Sequence, residues 1–180
     1  MKGFTRREPL FSLCGLKCGL CRMHLGGYCP GCGGGEGNQS CAIARCSLEH
    51  GGPEFCWDCP EYPCARYEGF DECDSFVPHS AHARDAAEAR SLGIEAYMAR
   101  MRESAALLEE LLGGYNDGRR KTLFSTAAYL LPPEDLRAVL ERLRAQAEGL
   151  ELKERAALAA RLLTEAAQAR GLSLKLVKKP

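Results

Sequence analysis

Every cysteine of this 180-residue chain, eleven in all, lies between Cys14 and Cys73. They recur as short pairs: Cys18-x2-Cys21, Cys29-x2-Cys32, Cys41-x4-Cys46, Cys56-x2-Cys59 and Cys59-x4-Cys64. Two thiolates at such spacing reach one tetrahedral metal ion. An odd number of cysteines fits a disulfide framework poorly. The stretch Met1 to Pro9 is polar and lacks the apolar run of a signal peptide. The expected setting is therefore cytoplasmic, where thiols stay reduced, and the expected organiser of the first third is a metal.

Charge narrows the partners. The chain has 24 basic and 24 acidic residues, a formal net charge of zero. No global field draws it to nucleic acid or to a membrane surface. No run approaches the roughly 18 apolar residues of a membrane span. The expected partner is an unknown protein or anionic group, with neither membrane nor nucleic acid.

Composition changes once, near Asp74 to Ser80. This predicts a cysteine-rich metal-binding region over 1–80 and a helical region over 81–180, forming one integrated unit. The expected fold class is mainly α with little β: an irregular, metal-bound N-terminal region packed with a C-terminal helical bundle. Before the change, Gly31-Cys32-Gly33-Gly34-Gly35-Glu36-Gly37-Asn38 cannot build a helix or ladder alone. So few large aliphatics there offset little chain entropy, and metal–thiolate bonds are expected to supply the stability.

After Ser80 the pattern is helical. Ile94, Met98, Met101, Ala105, Leu108 and Leu112 recur at three- and four-residue steps, a helix expected to stop at Gly113-Gly114. Asn116-Asp117-Gly118 supplies a turn. A short helix carries Leu123, Phe124, Ala127, Ala128 and Leu131. Pro132-Pro133-Glu134-Asp135 marks a stop and a fresh start, with Leu136, Val139, Leu140 and Leu143 facing one way. A last helix is predicted from Leu152 to Arg170, and Leu172 to Leu176 alternates as a short strand would. Two isoleucines and three valines argue against an extensive sheet.

The pairs differ in specificity. Cys29-Pro30-Gly31-Cys32-Gly33 is the strongest zinc-knuckle signal, because glycine after the second cysteine lets backbone amides turn toward the thiolates. The expected ligands are Cys14, Cys18, Cys21, Cys29, Cys32, Cys41, Cys46, Cys56, Cys59 and Cys64. Cys14 and Cys64, together with the excluded Cys73, also read as small buried hydrophobes. Connectivity is not readable. Two four-thiolate sites would leave three cysteines, and three sites would need a histidine. Zinc is the expected cofactor, with an iron–sulfur cluster as the alternative, since thiolates suit both.

Cys14-x3-Cys18-x2-Cys21 is also the spacing of radical-SAM enzymes, and Gly34-Gly35-Glu36 spells a second motif of that superfamily. Those enzymes need a large α/β barrel, which the helical remainder does not provide. His79-x2-His82 would place two rings on one helical face, but reads better as a polar first turn. His24 and His50 read as solvated loop residues. Arg119-Arg120-Lys121 is a candidate anion- or partner-binding cluster. The plainer account is a solvated face neutralised by Glu109, Glu110 or another helix's acids.

The ordered series Cys14-Gly15-Leu16-x-Cys18-x2-Cys21, Cys29-x2-Cys32, Cys41-x-Ile43-x2-Cys46 and Cys56-x2-Cys59-x2-Tyr62-Pro63-Cys64 resembles a prokaryotic cysteine-rich family, domain of unknown function 3795. The resemblance continues through Gly114-Tyr115-Asn116-Asp117-Gly118-Arg119-Arg120-Lys121 and spans about residues 12 to 131. The family tends to carry another cysteine just after this second signature, where this chain has Ser125. The resemblance implies metal binding by the cysteines and a single unit holding both signatures, with no established activity.

Three function classes follow. The first is a zinc-organised binding module without chemistry of its own. The second is an iron–sulfur redox or sensor protein. The third is a metalloenzyme with an open metal position, for which Glu36, Asp58 or His79 would be the nearest bases. No catalytic residue is assigned, because no base stands at a defined spacing from a three-ligand metal.

Overall fold

The structure is a computed structural model and describes residues 1–35 and 41–179. Glu36, the last residue of the Gly34-Gly35-Glu36 motif, and the end of the Gly-rich segment therefore lie outside the described residues. Among the described residues seven α-helices run in order: α1 Arg22–Leu25, α2 Ala42–Glu49, α3 His82–Leu92, α4 Ile94–Tyr115, α5 Lys121–Leu130, α6 Pro133–Gln146 and α7 Leu152–Ala169. Among the described residues there is no strand. The chain is mainly helical, as expected. Backbone contacts divide it into two units, Met1–Met98 with Val177–Pro180, and Ala99–Leu176. The boundary falls inside α4.

The first unit has more apolar packing than its lack of aliphatics suggested. Phe11 is fully buried, with ring centroids 6.0 Å from Phe55, 6.1 Å from Trp57 and 4.9 Å from Tyr97. Phe55 stacks on Trp57 at 4.2 Å. Such pairs add roughly 0.5–1.5 kcal/mol each beyond burial. A neighbouring cluster joins Phe4, Leu13, Ile43 and Ala44, and Cys14, Cys32 and Cys56 pack against it. The sequence pattern missed this core because its members are aromatic and scattered. It also missed α2, whose buried face of Ile43, Ala44 and Ser47 is too short to show a period.

Ion pairs fix the irregular backbone of this unit. The Arg6 side chain, 2 % exposed, donates from Nε to Glu54 O (2.9 Å) and from Nη1 to Phe11 O (2.8 Å). Its Nη2 lies 3.5 Å from Glu54 Oε1, and its guanidinium sits 5.0 Å above the Phe55 ring. Glu54 also accepts the backbone N–H groups of Arg7 and Glu8. Lys17 Nζ reaches the buried Asp85 of α3 at 3.1 Å, and burial lowers the Lys17 pKa against the pull of that carboxylate.

In the second unit the sequence patterns translate directly. The α6 helix opens with Pro133 at its first position and buries Leu136, Val139, Leu140 and Leu143. The α7 helix opens on a reciprocal cap, Glu154 accepting the Glu151 N–H at 3.0 Å, and buries Leu162 and Leu163. Both α5 and α6 pack on α7. Exposed pairs such as Arg144–Glu110 and Arg142–Glu165 bridge helices and add little stability each.

Two expectations are corrected. The α4 helix runs through Gly113 and Gly114 to Tyr115, whose buried ring anchors an extra turn. Neither glycine adopts the positive φ that ends a helix, whereas Gly93 between α3 and α4 does (φ +84°). Leu172 to Leu176 forms no strand: its residues alternate half-buried and exposed, but no neighbouring strand among the described residues offers a ladder.

If the Arg6–Glu54 pair organises the first unit, Arg6→Ala should cost about 3 kcal/mol, because it strands a mostly buried carboxylate. The chain's single tryptophan, Trp57, lies in this unit, so its fluorescence during urea unfolding reads the change. A loss below about 0.5 kcal/mol would place the pair with ordinary surface bridges.

Candidate metal centre

Two of the cysteine pairs fold alike. Cys18–Leu20 and Cys56–Asp58 are each one turn of 3₁₀ helix. The second cysteine closes each turn, donating its N–H to the first cysteine's carbonyl at 3.0 Å: Cys21 to Cys18 and Cys59 to Cys56. One tight turn thus presents two thiols. In the second pair Asp58 accepts the Phe55 N–H at 3.1 Å, which makes the candidate base a cap for the turn.

The Cys29-Pro30-Gly31-Cys32 knuckle is built against the N-terminal segment. Cys32 donates its N–H to Pro9 O at 2.8 Å, and Gly31 has φ +95°. A Cβ there would lie 2.5 Å from Pro9 O, so only glycine permits the approach. Gly33 also takes a positive φ, the turn anticipated for the residue after the second cysteine. Arg6 donates its N–H to the Gly33 carbonyl, so the same residue ties the knuckle and the Glu54 loop.

Cys14 sits on a closed loop. Ser12 accepts the Leu16 N–H through its hydroxyl at 2.7 Å, and that hydroxyl is hydrogen-bonded to Cys14 Sγ at 3.1 Å. Gly15 has φ +89°, and a Cβ on it would strike the His82 carbonyl at 2.6 Å. The loop is thereby held against the start of α3. Cys56 donates its N–H to Leu13 O at 2.9 Å, which brings the Cys56 turn alongside Cys14.

All eleven cysteines are free thiols; Cys41 is exposed and the other ten half-buried. They fall into neighbouring groups. Burial pushes Cys14 up to about 12, and the nearby sulfurs of Cys32, Cys41 and Cys56 add to the rise. Burial likewise raises Cys18, reinforced by Cys32, Cys14, Cys21 and Cys29. Cys56 is pushed up to about 11, first by burial and then by Cys64, Cys46 and Cys59. Cys46, Cys56, Cys59 and Cys64 line one cavity of about 30 Å³ together with Tyr67. That is about the volume of one water molecule. The Tyr67 hydroxyl is buried without a hydrogen bond of ordinary geometry, yet it lies close enough to Cys56 for the two to perturb each other. Cys73 belongs to neither group.

The remaining candidates take other roles. His79 bonds Phe70 O at 2.9 Å and Ser75 Oγ at 2.9 Å, and its ring stacks on Phe70. His82 is buried and stacks on Tyr67 at 5.2 Å, rather than lying in a polar first turn. His24 Nδ1 bonds Cys29 O at 2.9 Å. His50 borders the cavity, its Nδ1 bonded to Cys46 O at 2.8 Å and its Nε2 3.3 Å from Glu61. Arg120 pairs with Asp117 within the turn, while Glu110 is taken by Arg144. The acid that neutralises the basic cluster is therefore its own turn residue rather than one from α4. Asp117 is held below the usual carboxylate range by the Arg119 N–H and by Arg120. Arg119 and Lys121 are exposed.

Among the described residues no three His, Cys, Asp or Glu side chains are gathered closely enough to hold a metal ion as they stand. The donor chemistry nevertheless suits a thiophilic metal: soft ligands around one small void and a buried O–H donor beside them. No protein-family model, no curated protein and no solved structure matches this chain, and the family resemblance rests on the motif order alone.

Proposed function

We propose that the cysteine-rich unit is organised by zinc held on thiolates from Cys14, Cys18, Cys21, Cys29, Cys32, Cys41, Cys46, Cys56, Cys59 and Cys64, and that the protein is a cytoplasmic binding module without chemistry of its own. The observation that carries the reading is the convergence of four thiols on one cavity in a unit whose loops are already set by Arg6, Gly15 and Gly31. Zinc supplies bond energy and neutralises thiolate charge; a closed four-thiolate site has no vacancy for substrate. The chain's own residues bring four cysteines to one void, cover part of it with Ile43 and Tyr67, and place the Tyr67 O–H beside Cys56. The motif resemblance points the same way. An iron–sulfur redox or sensor role is the second reading, favoured by the same soft donors.

Protein purified without oxygen decides between the two. The zinc reading expects a colourless protein containing zinc; iron with labile sulfide and a brown colour would replace it by the second. Cys29→Ser should lower bound metal by about one equivalent, because serine is a far poorer ligand than a thiolate. Cys73→Ser should leave it unchanged, and equal losses would refute the ligand assignment. Stripping zinc should abolish hydrogen-exchange protection over 14–73 while sparing the helices of the second unit, since structural zinc is worth on the order of 10 kcal/mol.

The binding surface is assigned to Arg119, Arg120 and Lys121, where two exposed cations flank the paired Arg120. An anionic partner would relieve their mutual repulsion. Adding inorganic phosphate at low salt should shift the amide resonances of these three residues, and the shifts should vanish when all three are changed to Gln. Unmoved resonances would remove the surface from the proposal.

A further inference from the structure

The sequence leaves open which cysteines share a metal, and here the structure goes further. Cys46 stands on the last turn of α2, Cys56 and Cys59 on one 3₁₀ turn, and Cys64 just beyond Pro63. Local spacing joins Cys56 to Cys59 and Cys59 to Cys64 but pairs Cys46 with Cys41; the tertiary fold brings Cys46 to the void that the other three line. That void, about 30 Å³, is lined by all four cysteines and closed in part by Ile43 and Tyr67. We propose that Cys46, Cys56, Cys59 and Cys64 form one four-thiolate metal site, distinct from the site that uses Cys29, with the Tyr67 hydroxyl donating to the Cys56 thiolate. The assignment rests on the metal-binding reading above and deepens it.

Three observations support this grouping over other sets of four. Cys14, although close to Cys56, does not border the void; it is hydrogen-bonded to Ser12 on its own closed loop. Tyr67 Oη is a buried hydroxyl without an acceptor, a state that costs about 1–3 kcal/mol. A metal-bound thiolate is a charged acceptor and would remove that cost, where a neutral thiol accepts only weakly. His50 Nδ1 bonds the Cys46 carbonyl at 2.8 Å and lies 3.6 Å from the Cys46 sulfur, which holds the end of α2 and its thiol beside the void that both residues line. The four cysteines line the void, but their side chains are not gathered closely enough to hold a metal ion as they stand, so binding requires them to close on it.

The test is a mutant cycle read by native mass spectrometry of the full chain, with zinc per protein as the readout. Cys46→Ser and Cys64→Ser should each lose about one equivalent, and the double variant should lose no more than either alone, because one ion is shared. Cys46→Ser combined with Cys29→Ser should lose about two. If Cys46→Ser does not fold, Cys46→His keeps a ligand: cobalt(II) should bind at unchanged stoichiometry with altered ligand-field bands. Tyr67→Phe should keep the stoichiometry but weaken competition against a chelator by roughly 10-fold or more, as loss of a partner to a ligand does. A wild type without metal would defeat the zinc reading itself. A metal-loaded wild type in which Cys46 and Cys64 losses add, or in which Cys46→His leaves the cobalt spectrum unchanged, would overturn the grouping alone.

Discussion

Sulfur packed beside sulfur away from water is stable only while the thiols keep their protons or share a cation. The first unit is arranged around that constraint. Burial pushes Cys14 up to about 12 and Cys56 up to about 11, and each neighbouring thiol opposes ionisation of the next. Without compensation, such a cluster holds neutral, weakly interacting thiols. With a divalent metal the same proximity becomes favourable, since each thiolate gains a bond and loses its repulsion.

The rest of the unit serves to deliver those sulfurs. Arg6 joins three stretches that meet only in space: the knuckle through Gly33, the Phe11 carbonyl, and the Glu54 loop that leads into the Cys56 turn. Lys17 ties the turn at Cys18 to α3 through Asp85, and Gly15 lets the Cys14 loop approach the His82 carbonyl. These contacts are polar and directional, which suits backbone with little regular structure of its own. The aromatic cluster around Phe11 adds non-directional burial beneath them. The second unit holds together differently, by apolar stripes on α5, α6 and α7.

What could be read from residues alone follows from that difference. Helices α6 and α7 were legible because Pro133 marks the start of the first and apolar residues repeat along one face of each; the Glu151–Glu154 cap that opens α7 emerged only from the structure. The end of α4 was misread because glycine is permissive rather than forbidding, and the buried Tyr115 outweighs its modest helix penalty. The α2 helix and the Phe11 cluster escaped notice because one is too short for periodicity and the other joins residues far apart in sequence. At the candidate site, the C-x2-C pairs and the turn at Gly33 were readable locally, while the positive φ at Gly31 was not. The grouping of Cys46 with the Cys56 turn was not, because tertiary packing sets it, whereas spacing had already paired Cys64 with Cys59. The roles of His82 and Asp117 were hidden for the same reason: a ring stacked on Tyr67 and a carboxylate turned back on Arg120 leave no mark in spacing.

The central claim is that thiolates hold a structural metal in the first unit. X-ray absorption at the zinc edge of protein purified without oxygen addresses it most directly. The account predicts a first shell dominated by sulfur at about 2.3 Å. A shell dominated by nitrogen or oxygen, or protein that carries iron in place of zinc, would contradict it.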